Sequence, residues 1–75
     1  MITIEAIGDR IKELRKSKQF TQAQVSQITG ISPRLLRYYE SGIRVPDVMT
    51  ARRIANALGV TLDDIFPLEG GKETA

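Results

Sequence analysis

The sequence contains no cysteine and no histidine. These absences exclude disulfides, thiol nucleophiles, histidine bases and the usual zinc ligands, so we expect neither an enzyme nor a protein with a cofactor. No apolar run approaches the roughly 20 residues of a membrane span, and the first ten residues lack the charged start and long apolar middle of a signal peptide. We therefore expect a soluble cytoplasmic protein with no membrane partner.

The 75 residues suffice for one small domain with a marginal core, which favours a compact helical bundle or a dimer. Residues 1–60 hold ten Lys or Arg against five Asp or Glu, whereas residues 61–75 hold one against four. A basic lobe fits a polyanionic ligand, although proteins that never bind nucleic acid also carry charges of this size. We predict a domain over residues 1–68 and a disordered tail over residues 69–75.

A pair of short helices is predicted within residues 21–42, TQAQVSQITGISPRLLRYYESG. Thr21 and Gln24 have the spacing of a capping box, which predicts that helix 2 begins at Gln22. Gly30 follows at a position where a left-handed residue ends a helix. Helix 2 is therefore predicted to be only two to three turns long.

Helix 3 is predicted to begin almost at once. Ser32 offers a second N-cap, and Pro33 occupies the first helical position, where its missing N–H has no cost. The helix then runs to Ser41 and ends at Gly42. Two helices of this length, joined by a turn of three to four residues, are typical of a helix-turn-helix.

Helix 3 has two different faces when its residues are placed 100° apart. The predicted core face comprises Leu35, Leu36, Tyr39 and Glu40. The opposite, presented face comprises Arg34, Arg37, Tyr38 and Ser41. Guanidinium and phenol groups suit base edges and phosphates, but exposed arginines are also ordinary on a solvated helix. The helical pattern alone leaves both interpretations open.

Three further helices are predicted, which makes the chain all-α. Helix 1 covers residues 4–18 and has an apolar stripe formed by Ile4, Ile7, Ile11 and Leu14. Helix 4 covers residues 48–58, with Asp47 as its cap and a stripe formed by Val48, Ala51, Ile54, Ala55 and Leu58. Helix 5 covers residues 62–66, with Thr61 as its cap and two aspartates near its positive end.

These motifs together resemble the phage-repressor, or XRE, type of helix-turn-helix domain, a family of DNA-binding transcription regulators. The resemblance covers residues 7–66 and rests on five pieces in order: IGDRIKELR, the FTQ start of helix 2, the YESG end of helix 3, the RVP loop and ALGVTLDDIF. It implies a compact five-helix, lambda-repressor-like bundle. It also implies that helix 3, residues 33–41, enters the DNA major groove while helix 2 lies near the backbone.

Carried over by position, the resemblance implies two sets of DNA-contacting residues. Gln22 matches a residue that hydrogen-bonds a phosphate with help from the helix N-terminus, and Arg44 matches a basic loop residue that grips the backbone. Ser32 joins these two in supplying register and salt-dependent affinity. The resemblance places Arg34, Leu35, Arg37 and Tyr38 at or beside the base-reading and groove-facing positions of helix 3, and Pro33 is added to the predicted contacts on its own chemistry.

Within helix 3, Arg34 is best placed for a bidentate contact to guanine O6 and N7. Pro33 has no donor and is a candidate contact for a thymine methyl. Arg37 and Tyr38 lie a turn further along, and the sequence leaves open whether they contact bases or phosphates. The segment TGISPRLLRYYESG also resembles the MerR family, which implies DNA contact by the Arg and Tyr residues of this helix. No wing and no long dimerising helix follow, so we treat this as a local likeness on an XRE scaffold.

Other positions are expected to be structural. The resemblance implies that Arg15 and Glu40 form a partly buried ion pair between helices 1 and 3. Ser26 replaces a usual Ala, and we expect its hydroxyl to bond a preceding carbonyl. Thr29 stands where a core Leu is usual and Ile28 where a polar residue is usual, so we expect rotated packing beneath helix 2.

We predict a sequence-specific DNA-binding transcriptional regulator that associates with the nucleoid when bound. Repression is the favoured effect, and the sequence leaves activation open. A monomer contacts only a few base pairs, so we expect a homodimer on a two-fold operator. The apolar candidates for the dimer surface are Val60, Leu62, Ile65, Phe66 and Leu68, with Arg52 or Asn56 at the rim. The alternative is an antitoxin-like protein-interaction module. No small-molecule ligand is evident from the sequence.

Overall fold

The computed structural model describes residues 3–66, which form five α-helices and, within that range, no strand. The helices are α1 (Ile4–Ser17), α2 (Gln22–Thr29), α3 (Pro33–Ser41), α4 (Val48–Leu58) and α5 (Leu62–Ile65). The predicted all-α class and helix order are confirmed. None of the helices in this part of the chain has the length and apolarity to cross a membrane. The predicted tail, residues 69–75, lies outside the described residues.

Side-chain caps define where α2 and α3 begin and end. Thr21 Oγ1 accepts the backbone N–H of Gln24 at 3.0 Å, and Gln24 Oε1 accepts the backbone N–H of Thr21 at 2.8 Å, which completes the predicted capping box. Ser32 caps α3 through a 3.1 Å hydrogen bond. Both helices end at left-handed glycines, Gly30 (φ 77°) and Gly42 (φ 76°).

The first turn of α4 departs from its predicted stripe. Asp47 caps this helix by accepting the backbone N–H of Thr50 at 2.7 Å, and hydrogen bonds from Thr50 hold the pKa of the Asp47 carboxyl below its usual value. The later stripe residues Ala51, Ile54, Ala55 and Leu58 are buried as predicted. Val48, however, is 61% exposed. The stripe therefore begins at the surface and enters the core only at Ala51, which is fully buried.

All five helices contribute to one hydrophobic core. Its buried members are Ile7, Ile11, Val25, Ile31, Leu36, Tyr39, Ile54, Ala55, Leu58 and Ile65. Phe20, just before α2, packs against this core. The predicted dimer surface is wrong at Ile65, which is fully buried, because the short α5 uses its apolar side chain to close the core. Val60 and Phe66 from the same predicted surface also pack against the core, and Leu68 lies outside the described residues.

Polar groups in α2 and its turn are arranged differently from the sequence expectation. The Ser26 hydroxyl donates to the carbonyl of Ile31, which follows it in the turn, and not to a preceding carbonyl. Thr29 is half-buried, and its hydroxyl donates to the carbonyl of Val25 at 2.7 Å. Ile28 is 57% exposed. The expected rotation of α2 is therefore wrong, because Thr29 satisfies its hydroxyl within the helix and keeps the inward position.

α1 and α3 approach each other very closely at Gly8. A Cβ atom at this position would collide with the backbone carbonyl oxygen of Tyr39 and would lie 2.8 Å from that of Glu40. Backbone atoms cannot move aside as a flexible side chain does. Gly8 is therefore required for the short distance between α1 and α3. This distance sets how far α3 projects from α1.

A buried ion pair joins the same two helices. Arg15 Nε donates to Glu40 Oε2 at 2.7 Å, and Arg15 Nη2 donates to Glu40 Oε1 at 3.1 Å. The third guanidinium nitrogen, Nη1, donates to the carbonyl of Phe20 at 2.8 Å. Gln22 Nε2 donates to Glu40 Oε1 at 2.9 Å. These bonds connect α1, the loop before α2, the start of α2 and α3 through a single ion pair.

We predict that Gly8→Ala destabilises the protein by roughly 1 to 3 kcal/mol, because the new methyl overpacks a backbone contact. Helix propensity alone predicts the opposite sign, since alanine is the better helix former. Thermal unfolding followed by circular dichroism measures the effect. Lys12→Ala, at an exposed position of the same helix, is the control and is expected to stay near the wild-type melting temperature. A stabilised Gly8→Ala variant would contradict the close approach.

We predict that Glu40→Gln lowers the free energy of unfolding by roughly 3 kcal/mol, because it leaves the buried Arg15 charge without a counter-charge. Urea unfolding measures this loss. Glu13→Gln is the matched control, since Glu13 forms a 3.9 Å ion pair with Arg10 on the surface, where removal costs about 0 to 1 kcal/mol. If both substitutions lowered the free energy of unfolding equally, burial would not make loss of the Arg15–Glu40 pair more costly than loss of a surface pair.

Candidate nucleic-acid interface

α3 separates a buried face from a presented face. Leu36, Tyr39 and Glu40 are buried, and Leu35 is half-buried against the core. The presented face has Pro33, Arg34, Arg37 and Ser41 exposed and Tyr38 half-buried. The helix is therefore attached to the domain along one side and open to solvent along the other.

The N-terminus of α3 combines a hydroxyl, a ring and a guanidinium group. Ser32 Oγ accepts the backbone N–H of Leu35 at 3.1 Å, so its own O–H is still able to donate. Pro33 is exposed at the first helical position and presents an apolar ring without a donor. Arg34 follows directly. Hydroxyl donor, apolar ring and forked cation lie within three consecutive residues at one end of the helix.

Arg34 is held against Tyr38 one turn further along α3. Arg34 Nε donates to the Tyr38 hydroxyl oxygen at 3.1 Å. The guanidinium carbon lies 5.9 Å from the centroid of the Tyr38 ring, which is within the range of a cation–π interaction. Two predicted site residues are thus brought together. Sequence reasoning placed both on one face but did not anticipate that they bond to each other.

Arg37 on α3 and Arg44 in the loop after it have no such partner. Within residues 3–66 neither side chain has a hydrogen bond or an ion pair, and both are exposed. Arg44 follows the left-handed turn at Gly42, where the backbone N–H groups of Ile43 and Arg44 donate to the carbonyl of Tyr38 at 2.9 and 3.3 Å. This turn fixes the backbone from which the Arg44 side chain projects.

Gln22 is used inside the domain. It occupies the first position of α2, is half-buried, and donates one amide N–H to Glu40. Its second amide N–H and its backbone N–H are the groups left for a phosphate. The phosphate contact of Gln22 stays a prediction. The bond to Glu40 was not expected from the sequence, because the two residues lie 18 positions apart.

The exposed charge of the helix-turn-helix has one sign. Between residues 19 and 46 the chain has four charged side chains, Arg34, Arg37, Glu40 and Arg44. Glu40, the single carboxylate in this segment, is buried against Arg15, whereas all three arginines are exposed. The segment therefore presents only positive charge to solvent, and it does so around α3.

The described residues have few other features that suggest a binding site. No three Asp or Glu side chains among residues 3–66 are placed to hold a metal ion. A shallow groove lies between α2 and α4, at the opposite end of α2 from Gln22, and is lined by Ile28, Thr29, Arg53, Asn56 and Ala57. The large apolar side chains that are exposed are Ile28, Ile43, Val45, Val48 and Met49.

Comparison with known proteins gives a consistent assignment. Residues 11–65 match the profile of the Helix-turn-helix family. The prophage-derived HTH-type transcriptional regulator YonR of Bacillus subtilis is 36% identical over 63 residues, which are 84% of this chain and 56% of YonR. The chain thus spans about half the length of that relative. The HTH-type transcriptional regulator YazB of the same organism is 34% identical over 65 residues, which are 87% of this chain and 94% of YazB.

A solved structure supports the fold. The restriction-modification controller protein C.AhdI from Aeromonas hydrophila superimposes with a TM-score of 0.81 at 24% sequence identity, over 84% of this chain and 96% of C.AhdI. At this identity the likeness concerns the arrangement of helices. The family profile covers most of the chain, and YazB is matched over nearly its whole length. The chain belongs to the XRE-type helix-turn-helix family, whose matched relatives are HTH-type transcriptional regulators.

Proposed function

We propose that the protein is a sequence-specific transcriptional regulator that binds double-stranded DNA and acts as a repressor. The observation that carries this proposal is the charge of the helix-turn-helix. Three arginines are exposed around α3, while the single carboxylate of the segment is buried in an ion pair. A segment of this kind attracts phosphates through its exposed arginines, and its own buried carboxylate does not repel them.

The shape of α3 fits the major groove. The groove of B-form DNA is about 12 Å wide and admits an α-helix. α3 is attached through Leu36, Tyr39 and Glu40, so its other side is free to enter. Its nine residues make a helix about 13 Å long, which spans roughly four base pairs. One copy therefore reads a short half-site.

Within this proposal the contacts divide by chemistry. Arg34 and Pro33, at the N-terminus of α3, face base edges. Gln22, Ser32 and Arg44 contact phosphates and set the register of the helix in the groove. Arg37 and Tyr38 lie between the two sets on the presented face.

A half-site of roughly four base pairs is too short to specify one position in a genome, so the proposal includes a homodimer that binds an inverted repeat. The protein is proposed to act in the cytoplasm. The expected spacing of half-site centres is about 10 to 11 base pairs or a multiple of it. The dimer contacts must avoid Ile65, which the core already uses.

The second candidate is a protein-interaction module. The observation that favours it is a run of exposed apolar side chains in the loop after α3 and the first turn of α4, namely Ile43, Val45, Val48 and Met49. Such side chains suit a protein partner better than a phosphate backbone. The arginines around α3 are not required for this role.

We predict that selection from a random duplex pool enriches an inverted repeat, and that binding to the winning sequence weakens steeply with salt. Arg44→Ala is expected to weaken all sequences about equally and to reduce the slope of log K against log salt by about 0.9, the value for one phosphate contact. Arg34→Ala is expected to relax the preference at one base position by about 1 to 3 kcal/mol. Fluorescence anisotropy at several salt concentrations measures both effects.

Arg53→Ala is the matched control, because Arg53 lines the groove at the far end of α2 from the proposed interface. This substitution removes the same charge, and it is expected to change neither the salt dependence of DNA binding nor the sequence preference. An altered sequence preference in Arg44→Ala would contradict its phosphate assignment. No enriched sequence together with a flat salt response would reject DNA binding and favour the interaction module.

A further inference from the structure

We propose that Tyr38 is a positioning residue that holds the Arg34 guanidinium in the orientation for reading a guanine, so that each half-site contains a guanine opposite Arg34. This inference rests on the proposed function and goes beyond it. It separates the roles of Arg34, Arg37 and Tyr38, which share one face of α3. It also names the base that the half-site requires.

The geometry of the pair carries the inference. The Tyr38 hydroxyl oxygen accepts from Arg34 Nε at 3.1 Å, and the guanidinium carbon lies 5.9 Å from the ring centroid. One contact restrains the inner nitrogen of the guanidinium, and the other restrains its distance from the ring. The guanidinium is planar, so two restraints limit its rotation strongly. Both partners lie on the open side of the helix, where an unrestrained arginine would sample many rotamers.

The hydrogen bond to Tyr38 uses one nitrogen of Arg34, and this decides which edge of the guanidinium remains available for DNA. A guanidinium has five N–H donors, and its Nε–H is used by the phenol. The side-on pairing through Nε and one terminal nitrogen is therefore blocked. The two terminal nitrogens remain, and as a fork they match O6 and N7 of guanine, the two acceptors on that base in the major groove. Adenine presents one acceptor and one donor there, so it cannot satisfy the fork.

Tyr38 is itself well anchored. Its side chain is half-buried, and its backbone carbonyl accepts N–H groups from Ile43 and Arg44 at 2.9 and 3.3 Å in the turn that ends α3. Arg37, by contrast, has no side-chain partner within residues 3–66. A base contact needs a defined geometry, whereas a phosphate accepts a cation from many directions. Arg34 is thus the arginine prepared for a base, and Arg37 is suited to a phosphate.

The first experiment needs no DNA. Relaxation of the Arg34 ¹⁵Nε–H signal is measured by NMR in the free wild-type protein and in Tyr38→Phe, which removes the hydroxyl and keeps the ring. We expect a restrained Arg34 Nε–H in the wild type and a mobile one in Tyr38→Phe. Tyr39→Phe is the matched control, because it removes the same group from the buried face of α3, and it should leave Arg34 restrained. An Arg34 signal equally mobile in wild type and Tyr38→Phe overturns the inference.

The second experiment uses the duplex selected by the wild-type protein, with each guanine replaced in turn by 7-deazaguanine, which lacks the N7 acceptor. We expect one guanine at which this replacement weakens wild-type binding about fivefold or more. Arg34→Ala should be insensitive at that guanine. Tyr38→Phe should lose most of the difference in affinity between the guanine and 7-deazaguanine duplexes at that position. The salt dependence of its DNA binding should stay that of the wild type.

A double-mutant cycle separates positioning from direct contact. If Tyr38 acts through Arg34, adding Tyr38→Phe to Arg34→Ala should produce no further loss at the sensitive guanine. A further loss, or an equal loss on guanine and 7-deazaguanine duplexes, would mean that Tyr38 contacts DNA directly, and the positioning role would be wrong. Failure of the proposed function has a different signature, because then no duplex is enriched at all and every variant, including Arg44→Ala, binds DNA as weakly as the wild type.

Discussion

The buried ion pair between Arg15 and Glu40 is the interaction on which the arrangement of the helices depends. It is bidentate, and its remaining polar atoms are satisfied by the Phe20 carbonyl and the Gln22 amide. Burial of two charges is costly unless each is fully paired, so only one relative placement of α1, α2 and α3 is compatible with it. Replacement of such a pair by apolar side chains is often neutral or stabilising, so the geometry of the pair is a better guide to its role than its contribution to stability. Gly8 acts in the same direction, since it sets the distance between α1 and α3.

This interaction also shapes the electrostatics of the surface. Glu40 belongs to α3, and an exposed carboxylate there would weaken any attraction of phosphates by the neighbouring arginines. Its burial against Arg15 removes the negative charge from solvent and uses a cation from α1 to do so. The pair therefore serves structure and function together: it attaches α3 to the domain and leaves Arg34, Arg37 and Arg44 as the exposed charged side chains of residues 19–46.

The exposed side of α3 is not uniform in its rigidity. Arg34 is restrained by Tyr38, whereas Arg37 and Arg44 have no such restraint within the described residues. Base recognition requires a defined donor direction, and phosphate recognition tolerates a range of them. The restrained Arg34 is thus suited to sequence reading, whereas Arg37 on the same helix and Arg44 in the following loop are suited to non-specific attraction.

The local part of this structure is determined by the sequence itself. The capping box at Thr21 and Gln24, the cap at Ser32 and the end at Gly42 depend on hydrogen bonds between residues a few positions apart, so their spacing predicts the helices and the two faces of α3. Burial is decided by the tertiary structure, because it depends on which helix covers a side chain. Val48 follows the stripe of α4 but lies beyond its neighbours, and Ile65 was expected at a surface but closes the core. The bond from Gln22 to Glu40 joins residues distant in the chain, and the bond from Arg34 to Tyr38 depends on rotamers that helical spacing permits without selecting.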